Sequence, residues 1–559
     1  MQCSIALLAP LAIIILTVSA ALASPENDTI DLQVLAFNDL HGQLEPPIGK
    51  LTVHYNETAE PTKIDVGGVE YLAARIKALK AENPNTIVVS AGDNIGASPL
   101  TSALFRDEPT IQALNLMEVD YSAVGNHDLD EGITELGRIQ SGLCHPLDGC
   151  FGGKPYAGAG FSYLAANMAN NTTGEAIFPP YKIHFIQGVP IGIIGIALKD
   201  TPTITSSESM EGLKFFDEAG SINRYSLELE KKGVQTIIVL IHDGGTQYGS
   251  FNESVNLMGS IVDIINHTDD EVDAFITGHT HRAYNSLVDG RIVTQAGSNG
   301  RILTDVDLII SKETRDVIYA HARNIPVSHD MPKDPAMSEL VDEYRSMAAP
   351  RADVVVGSIT TNITTAYRAS GESALGDVIA DAQQYATANS SGAVVAFMNS
   401  GGIRANLVYP QISGSEMPGQ VTYEEAYSVQ PFGNGLVTMT LTGAQIKDLL
   451  EEQFDNPLPG KKRVLQVSRG FSYTWNKSAP LGCKVEMGSI RLNGTAINPS
   501  AIYRVTVNSF LADGGDNFTV LKEGTDRMCG PNDLTALIEY LKANSPVSRS
   551  NTKRIWVAS

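Results

Sequence analysis

The stretch "SAVGNHDLDEG", residues 122–132, sets Asn126, His127, Asp128 and Asp130 side by side, behind a short apolar run and ahead of a helix-like segment. Four other places in the chain repeat this arrangement. They are "AFNDLHG" (36–42) with Asp39 and His41, "SAGDNIG" (90–96) with Asp93 and Asn94, "LIHDGG" (240–245) with His242, and "TGHTH" (277–281) with His279 and His281. In α/β sheets ligands gather at the carboxyl ends of strands, and five such ends are enough to surround one site.

The runs ahead of these clusters read as buried strands: "LQVLAF" (32–37), "TIVVSA" (86–91), "YSAV" (121–124), "TIIVLI" (236–241) and "VDAFIT" (272–277), with "IGIIGIA" (191–197) as a sixth. Between them "GVEYLAARIKALKAE" (68–82) carries Leu72, Ile76 and Leu79 at helical spacing, until Asn83 and Pro84 stop it. Alternation of this kind predicts an α/β domain with helix-covered sheets. Around 326–352 the texture becomes charged and proline-bounded, which predicts a linker carrying one helix. "DVVVGSI", "GAVVAFM", "LVTMTLT" and "IYRVTVN" then supply strands, and "ALGDVIADAQQYA" and "LTGAQIKDLLEEQF" helices, for a second α/β domain.

Imidazole, carboxylate and amide oxygen without thiolate suit two borderline divalent ions such as Zn²⁺, Mn²⁺ or Co²⁺. Two ions acting jointly stand roughly 3.5–4 Å apart, which calls for a shared carboxylate. Asp93, flanked by glycines in "AGDNIG", is the natural bridge. In "DLH" and "HTH" alternate residues of an extended segment point the same way, so each pair faces one centre. Of the 11 histidines, six (His54, His145, His184, His267, His321 and His329) lack such context and are expected to be structural.

The ordered set D-x-H, G-D-x-x, G-N-H-x-x-D, H and G-H-x-H resembles the calcineurin-like metallophosphoesterases. "GESALGDVIADA" (371–382), "NSGGIRA" (399–405), "QPFGN" (430–434) and "NSFLADGGDNF" (508–518) resemble the C-terminal domain of the 5'-nucleotidases. The resemblance, to the secreted 5'-nucleotidase family, covers nearly the whole chain after its N-terminal apolar segment. It implies an N-terminal four-layer αββα sandwich (24–328), a linker helix (329–352) about which the halves rotate, and a C-terminal α/β substrate-binding domain (353–559). It implies one metal on Asp39, His41, Asp93 and His281, and a second on Asp93, Asn126, His242 and His279. Such ions lower the pKa of bound water and neutralise phosphate oxygens during in-line displacement. His127 would stabilise the transition state. Asp130, three residues on, would orient its ring. Asp128 and Asn94 receive no role, although Asn94 could support a neighbour or touch phosphate. For substrate the resemblance implies Asn399 and Arg404, a base held between Phe432 and Phe510, ribose on Asp516, and Arg368 as a second phosphate ligand. The expected activity is release of nucleoside and phosphate from 5'-nucleotides. Apyrase, UDP-sugar hydrolase or 2',3'-cyclic phosphodiesterase activity, or nucleotide binding on an inactive scaffold, are the alternatives.

A net charge of −23 disfavours nucleic acid as a partner and leaves the oligomeric state open. Residues 1–23 end in "ALA" and read as a secretory signal, pointing to a secreted or periplasmic protein without a stable membrane anchor; an uncleaved anchor is the alternative. Outside that segment four cysteines remain, for which Cys144–Cys150 and Cys483–Cys529 are the expected pairs. Eleven N-x-S/T sequons are compatible with glycosylation.

Overall fold

A computed structural model describes residues 28–53, 60–457, 459–550 and 552–558. The expected signal segment 1–23 and His54 lie outside them.

The N-terminal half is built on two six-stranded sheets. One runs in the order Val317–Pro326, Ile302–Ser311, Thr29–Phe37, Thr86–Ser90, Tyr121–Ala123, Ser162–Leu164. The other runs Ala283–Val288, Arg291–Ala296, Ala274–Thr277, Thr236–Ile241, Val189–Ile196, Tyr181–Ile186. Strand alternation explains why they stack. From Thr29–Phe37, Ile30, Leu32, Val34 and Ala36 point into a core shared with Ile238, Leu240 and Ile276 of the other sheet. Leu35 and Phe37 point the opposite way, onto Leu72 and Ile76 of the helix Val69–Glu82. On the far sheet Ile237, Val239 and Ile241 meet Ile222 and Leu229 of the helix Glu218–Glu230. Successive residues feeding opposite layers give helix, sheet, sheet, helix: the αββα sandwich.

The parallel strands Thr29–Phe37, Thr86–Ser90 and Tyr121–Ala123 lie side by side, as do Thr236–Ile241 and Ala274–Thr277. Their carboxyl ends hold the five clusters read from the sequence.

The helix Pro335–Ala352 starts on Asp334, whose carboxylate accepts from the Met337 N–H at 3.0 Å. Met337, Leu340, Val341 and Tyr344 enter the same core as Leu72 and Ile76, so this helix is one more member of the outer layer of the N-terminal half. Beyond it a five-stranded sheet is ordered Gln466–Val467, Val395–Met398, Ile502–Asn508, Gly435–Thr442, Thr525–Asn532. The helices Ala374–Ser391 and Asp533–Asn544 share one core. The helix Gly443–Glu451 joins another with the four-stranded sheet that ends the described chain.

Cys144 and Cys150 form a disulfide, as expected. The second pairing is corrected: Cys483 and Cys529 are both free and exposed. Cys529 sits on the strand Thr525–Asn532 beside Val437, whereas Cys483 lies in a loop by the helix Gly443–Glu451, so sheet pairing holds them on separate elements.

Candidate functional site

The loops after the strands bring the clusters together. The Nε2 atoms of His41 and His281 lie 3.0 Å apart, and His281 Nε2 is 3.3 Å from Asp39 Oδ1. Next to them His242 Nε2 is 3.1 Å from Asp93 Oδ2 and 3.2 Å from Asn126 Oδ1, and His279 Nδ1 is 3.0 Å from the same Asn126 oxygen. Asp93 Oδ2 is 3.8 Å from His41 Nε2, which places this carboxylate between two groups: Asp39, His41 and His281, and Asp93, His242 and His279.

These donor sets fit divalent metal. Two imidazole nitrogens facing each other at 3.0 Å supply at most one proton between them, and a shared cation satisfies both lone pairs. Second partners fix which nitrogen faces inward: His242 Nδ1 meets the Ala91 carbonyl at 2.7 Å, and His41 Nδ1 the Gly96 carbonyl at 3.0 Å. Burial keeps His279 neutral, down to about 3, as a ligand must be. Burial also acts to lower His242, but Asp93 beside it prevails and pushes it up to about 10; the charge that holds a proton there also attracts a cation.

His127 stands at the edge of this cluster, its ring 5.1 Å from that of His41. Its Nδ1 is 2.9 Å from Asp130 Oδ2, and its backbone N–H donates to Asp93 Oδ1 at 2.7 Å. Burial favours the neutral ring, yet the charges of Asp130 and Asp93 outweigh it and raise the His127 pKa. The segment His127–Leu129 is a single 3-10 turn, which brings residue 130 back under residue 127.

The C-terminal half closes over this centre. A cleft of 340 Å³ is lined by Asn126, His127 and Asp130 on one side and by Asn399, Arg404, Phe432, Phe510 and Asp516 on the other. The Phe432 ring stacks on His127 at 5.6 Å and 17°, and the Arg404 guanidinium lies 5.7 Å from the same ring. A base stacking on Phe432 must use the face these neighbours leave, or displace them. Asn399 Nδ2 donates to Asp516 Oδ2 at 2.9 Å, and Asn508 Nδ2 to Asn399 Oδ1 at 3.0 Å.

Arg368 requires correction. Its guanidinium donates to Glu372 at 2.9 Å and to the Ser550 carbonyl at 3.2 Å, and it is absent from the lining of the cleft. The buried Glu372 carboxylate holds it within the C-terminal half. The five described histidines without context stay outside the centre; His184 meets Tyr121 and His329 stacks on Tyr71.

Sequence reasoning missed two residues. Asp128 accepts from four backbone N–H groups, those of Asp93 (3.0 Å), Asn94 (3.1 Å), Ile95 (3.3 Å) and Gly125 (2.8 Å), and so ties the Asp93 turn to the Asn126 turn. Arg463 pairs with Asp516 and lines the cleft. No pattern announces a partner 53 residues away. Asn94 bridges Ser90 (2.6 Å) and Ser122 (2.8 Å), holding two strand ends together.

A two-sheet sandwich with paired His and Asp clusters at its strand ends, capped by a second α/β domain, defines a metallophosphoesterase-type hydrolase architecture. Residues 32–283 match the calcineurin-like phosphoesterase family, and residues 355–523 the 5'-nucleotidase C-terminal domain. The chain belongs to the 5'-nucleotidase family. It is 33% identical to endonuclease YhcR of Bacillus subtilis over 95% of this chain and 41% of that protein, and thus spans about two fifths of that relative's length. It is 31% identical to cell wall protein Lmo0130 of Listeria monocytogenes over 92% of this chain and 67% of that protein. The crystal structure of a 5'-nucleotidase precursor from Thermus thermophilus aligns with a TM-score of 0.76 at 25% identity, over 94% of this chain and 99% of that one.

Proposed function

We propose that this chain is a nucleotide phosphohydrolase that releases nucleoside and phosphate from 5'-nucleotides with two divalent ions, Zn²⁺, Mn²⁺ or Co²⁺. The observation that carries the reading is the cleft in which the His127–Asp130 pair, Asn126 and His279 of the His/Asp cluster, Arg404 and the two phenylalanines meet. We assign Asp39, His41, Asp93 and His281 to one ion and Asp93, Asn126, His242 and His279 to the other. When bound, the ions act as Lewis acids that activate water and neutralise phosphate oxygens.

The chain's own groups do the rest. Asp130 accepts from His127 Nδ1, which leaves Nε2–H to donate to a phosphate oxygen as charge develops. Arg404 offers a planar fork to the same group. Phe432 and Phe510 hold the base, and Asp516, steadied by Asn399 and Arg463, the ribose. The catalytic domain is residues 24–328, the substrate domain 353–559, and 329–352 joins them. The N-terminal signal-like segment and the sequons support a secreted glycoprotein.

The test is phosphate release from AMP, ADP, ATP, UDP-glucose, 2',3'-cyclic AMP and an oligonucleotide, each with defined metals. AMP hydrolysis is expected. The oligonucleotide checks a polyanion reading that the name of the Bacillus relative raises and the −23 charge opposes. His127→Ala is expected to lower kcat by about 10²–10³-fold with metal content near normal. No phosphate from any nucleotide would sink the enzyme reading in favour of a binding protein.

A further inference from the structure

A second cavity, 720 Å³ in volume, lies on the opposite side of Arg404 from the aromatic cleft. The two meet at Ala97, Gly401 and Arg404. Each opens on a different part of the metal-type cluster: His127, Asn126 and His279 line the aromatic cleft, whereas His41 and His281 line the second cavity. No Phe, Tyr or Trp lines it among the described residues, so it has nothing on which to stack a base. Two polar atoms at its wall are buried without a partner. One is Arg301 Nε, whose guanidinium is otherwise anchored by Nη2 to the Ile48 carbonyl at 2.8 Å; the other is Gln411 Oε1. The Arg404 guanidinium likewise meets no acceptor among the described residues.

We propose that this cavity is an exit site for inorganic phosphate. Resting on the phosphohydrolase reading above, it lets phosphate formed beside His41 and His281 leave past Arg404 and Arg301 while nucleoside still fills the aromatic cleft. Without it the anion is enclosed between the metal-type cluster and the nucleoside. Arg301, Arg345 and Arg404 line this path together with Glu45, Glu424 and Glu425; Arg345 is paired with Glu45, which leaves Arg301 and Arg404 to meet the departing dianion.

Product inhibition reads the order of release directly. If phosphate leaves first, added inorganic phosphate binds the enzyme–nucleoside complex and lowers Vmax at saturating AMP as well as raising the apparent KM. Arg301→Gln keeps an amide donor for the Ile48 carbonyl, and is expected to weaken the Vmax component about fivefold while the competitive component persists. Ser413→Trp, at an exposed rim position, narrows the cavity without touching Arg301 and is expected to act the same way. Strictly competitive inhibition by phosphate in the unsubstituted protein would overturn the proposal, and so would a Vmax component unchanged in both variants. Either result leaves AMP hydrolysis intact, so this failure is distinct from failure of the phosphohydrolase reading.

Discussion

Five of the seven candidate metal ligands, Asp39, His41, Asp93, His279 and His281, hold positive φ angles between 49° and 71°. Left-handed backbone at residues other than glycine costs of order 1–3 kcal/mol each and persists where surrounding contacts hold it. Asp128 supplies such contacts at one of these positions: its carboxylate satisfies the N–H groups of residues 93, 94, 95 and 125. Asp128→Ala would leave these buried donors without their acceptor, at about 1–3 kcal/mol for each left unpaired. Asp128→Asn keeps one acceptor oxygen and should fall between. Metal content by atomic emission together with urea unfolding checks this. The expectation is joint loss of metal and of about 3 kcal/mol or more in the alanine variant. Full metal occupancy in that variant would show that the Asp93 turn holds itself.

At the level of elements, strands that are buried on both faces were legible because their apolar runs are unbroken. Thr236–Ile241 coincides with the run read from the sequence, and Thr86–Ser90 and Tyr121–Ala123 differ from theirs by one residue. The antiparallel strands Ile302–Ser311 and Val317–Pro326 were not, because Asp305 and Asp307 interrupt the apolar residues of the first and His321 and Arg323 those of the second; Asp305 is buried and pairs with Arg323 across the two strands. Motif reading also found "GESALGDVIADA" without showing its work. Ser373 caps the helix Ala374–Ser391 through Gly376 N–H, while Glu372 and Asp381 are buried against Arg554 from the end of the described chain. Arg554 Nη1 and Nη2 meet Asp381 at 2.7 and 2.9 Å, and the strand Ile555–Ala558 then pairs with Phe471–Asn476. Arg554→Met is therefore expected to destabilise the C-terminal half by about 3–5 kcal/mol, since it leaves buried carboxylates unpaired. Thermal unfolding and limited proteolysis read this out, with turnover per folded molecule at low temperature nearly unchanged. A shift of under about 1 kcal/mol would mean that water replaces the guanidinium.

Across the whole molecule the halves also touch through charge. The helix Pro335–Ala352, expected as the axis of rotation, is anchored in the N-terminal core, which leaves the chain after Ala352 as the place where any rotation of the halves would be taken up. Beside that point Thr101 Oγ1 reaches Glu45 of its own half at 3.1 Å and Glu424 of the other at 3.5 Å. Burial, then the charges of Glu45 and Asp353, push the Glu424 carboxyl from 4.5 up to about 7. The folded chain therefore holds this proton more tightly than the unfolded chain does. The stability it contributes is complete below pH 4.5, declines as pH rises toward 7, and is gone above that. Glu424→Gln removes the titration while keeping the shape. It should be neutral near pH 5 and stabilising at pH 8, by about 1–2 kcal/mol once partial exposure is allowed for, at about 1.4 kcal/mol per pKa unit. The difference in Tm between variant and parent, followed from pH 5 to 8, cancels the titration of every other group. A difference independent of pH would show that folding leaves the Glu424 pKa where it stands in the unfolded chain.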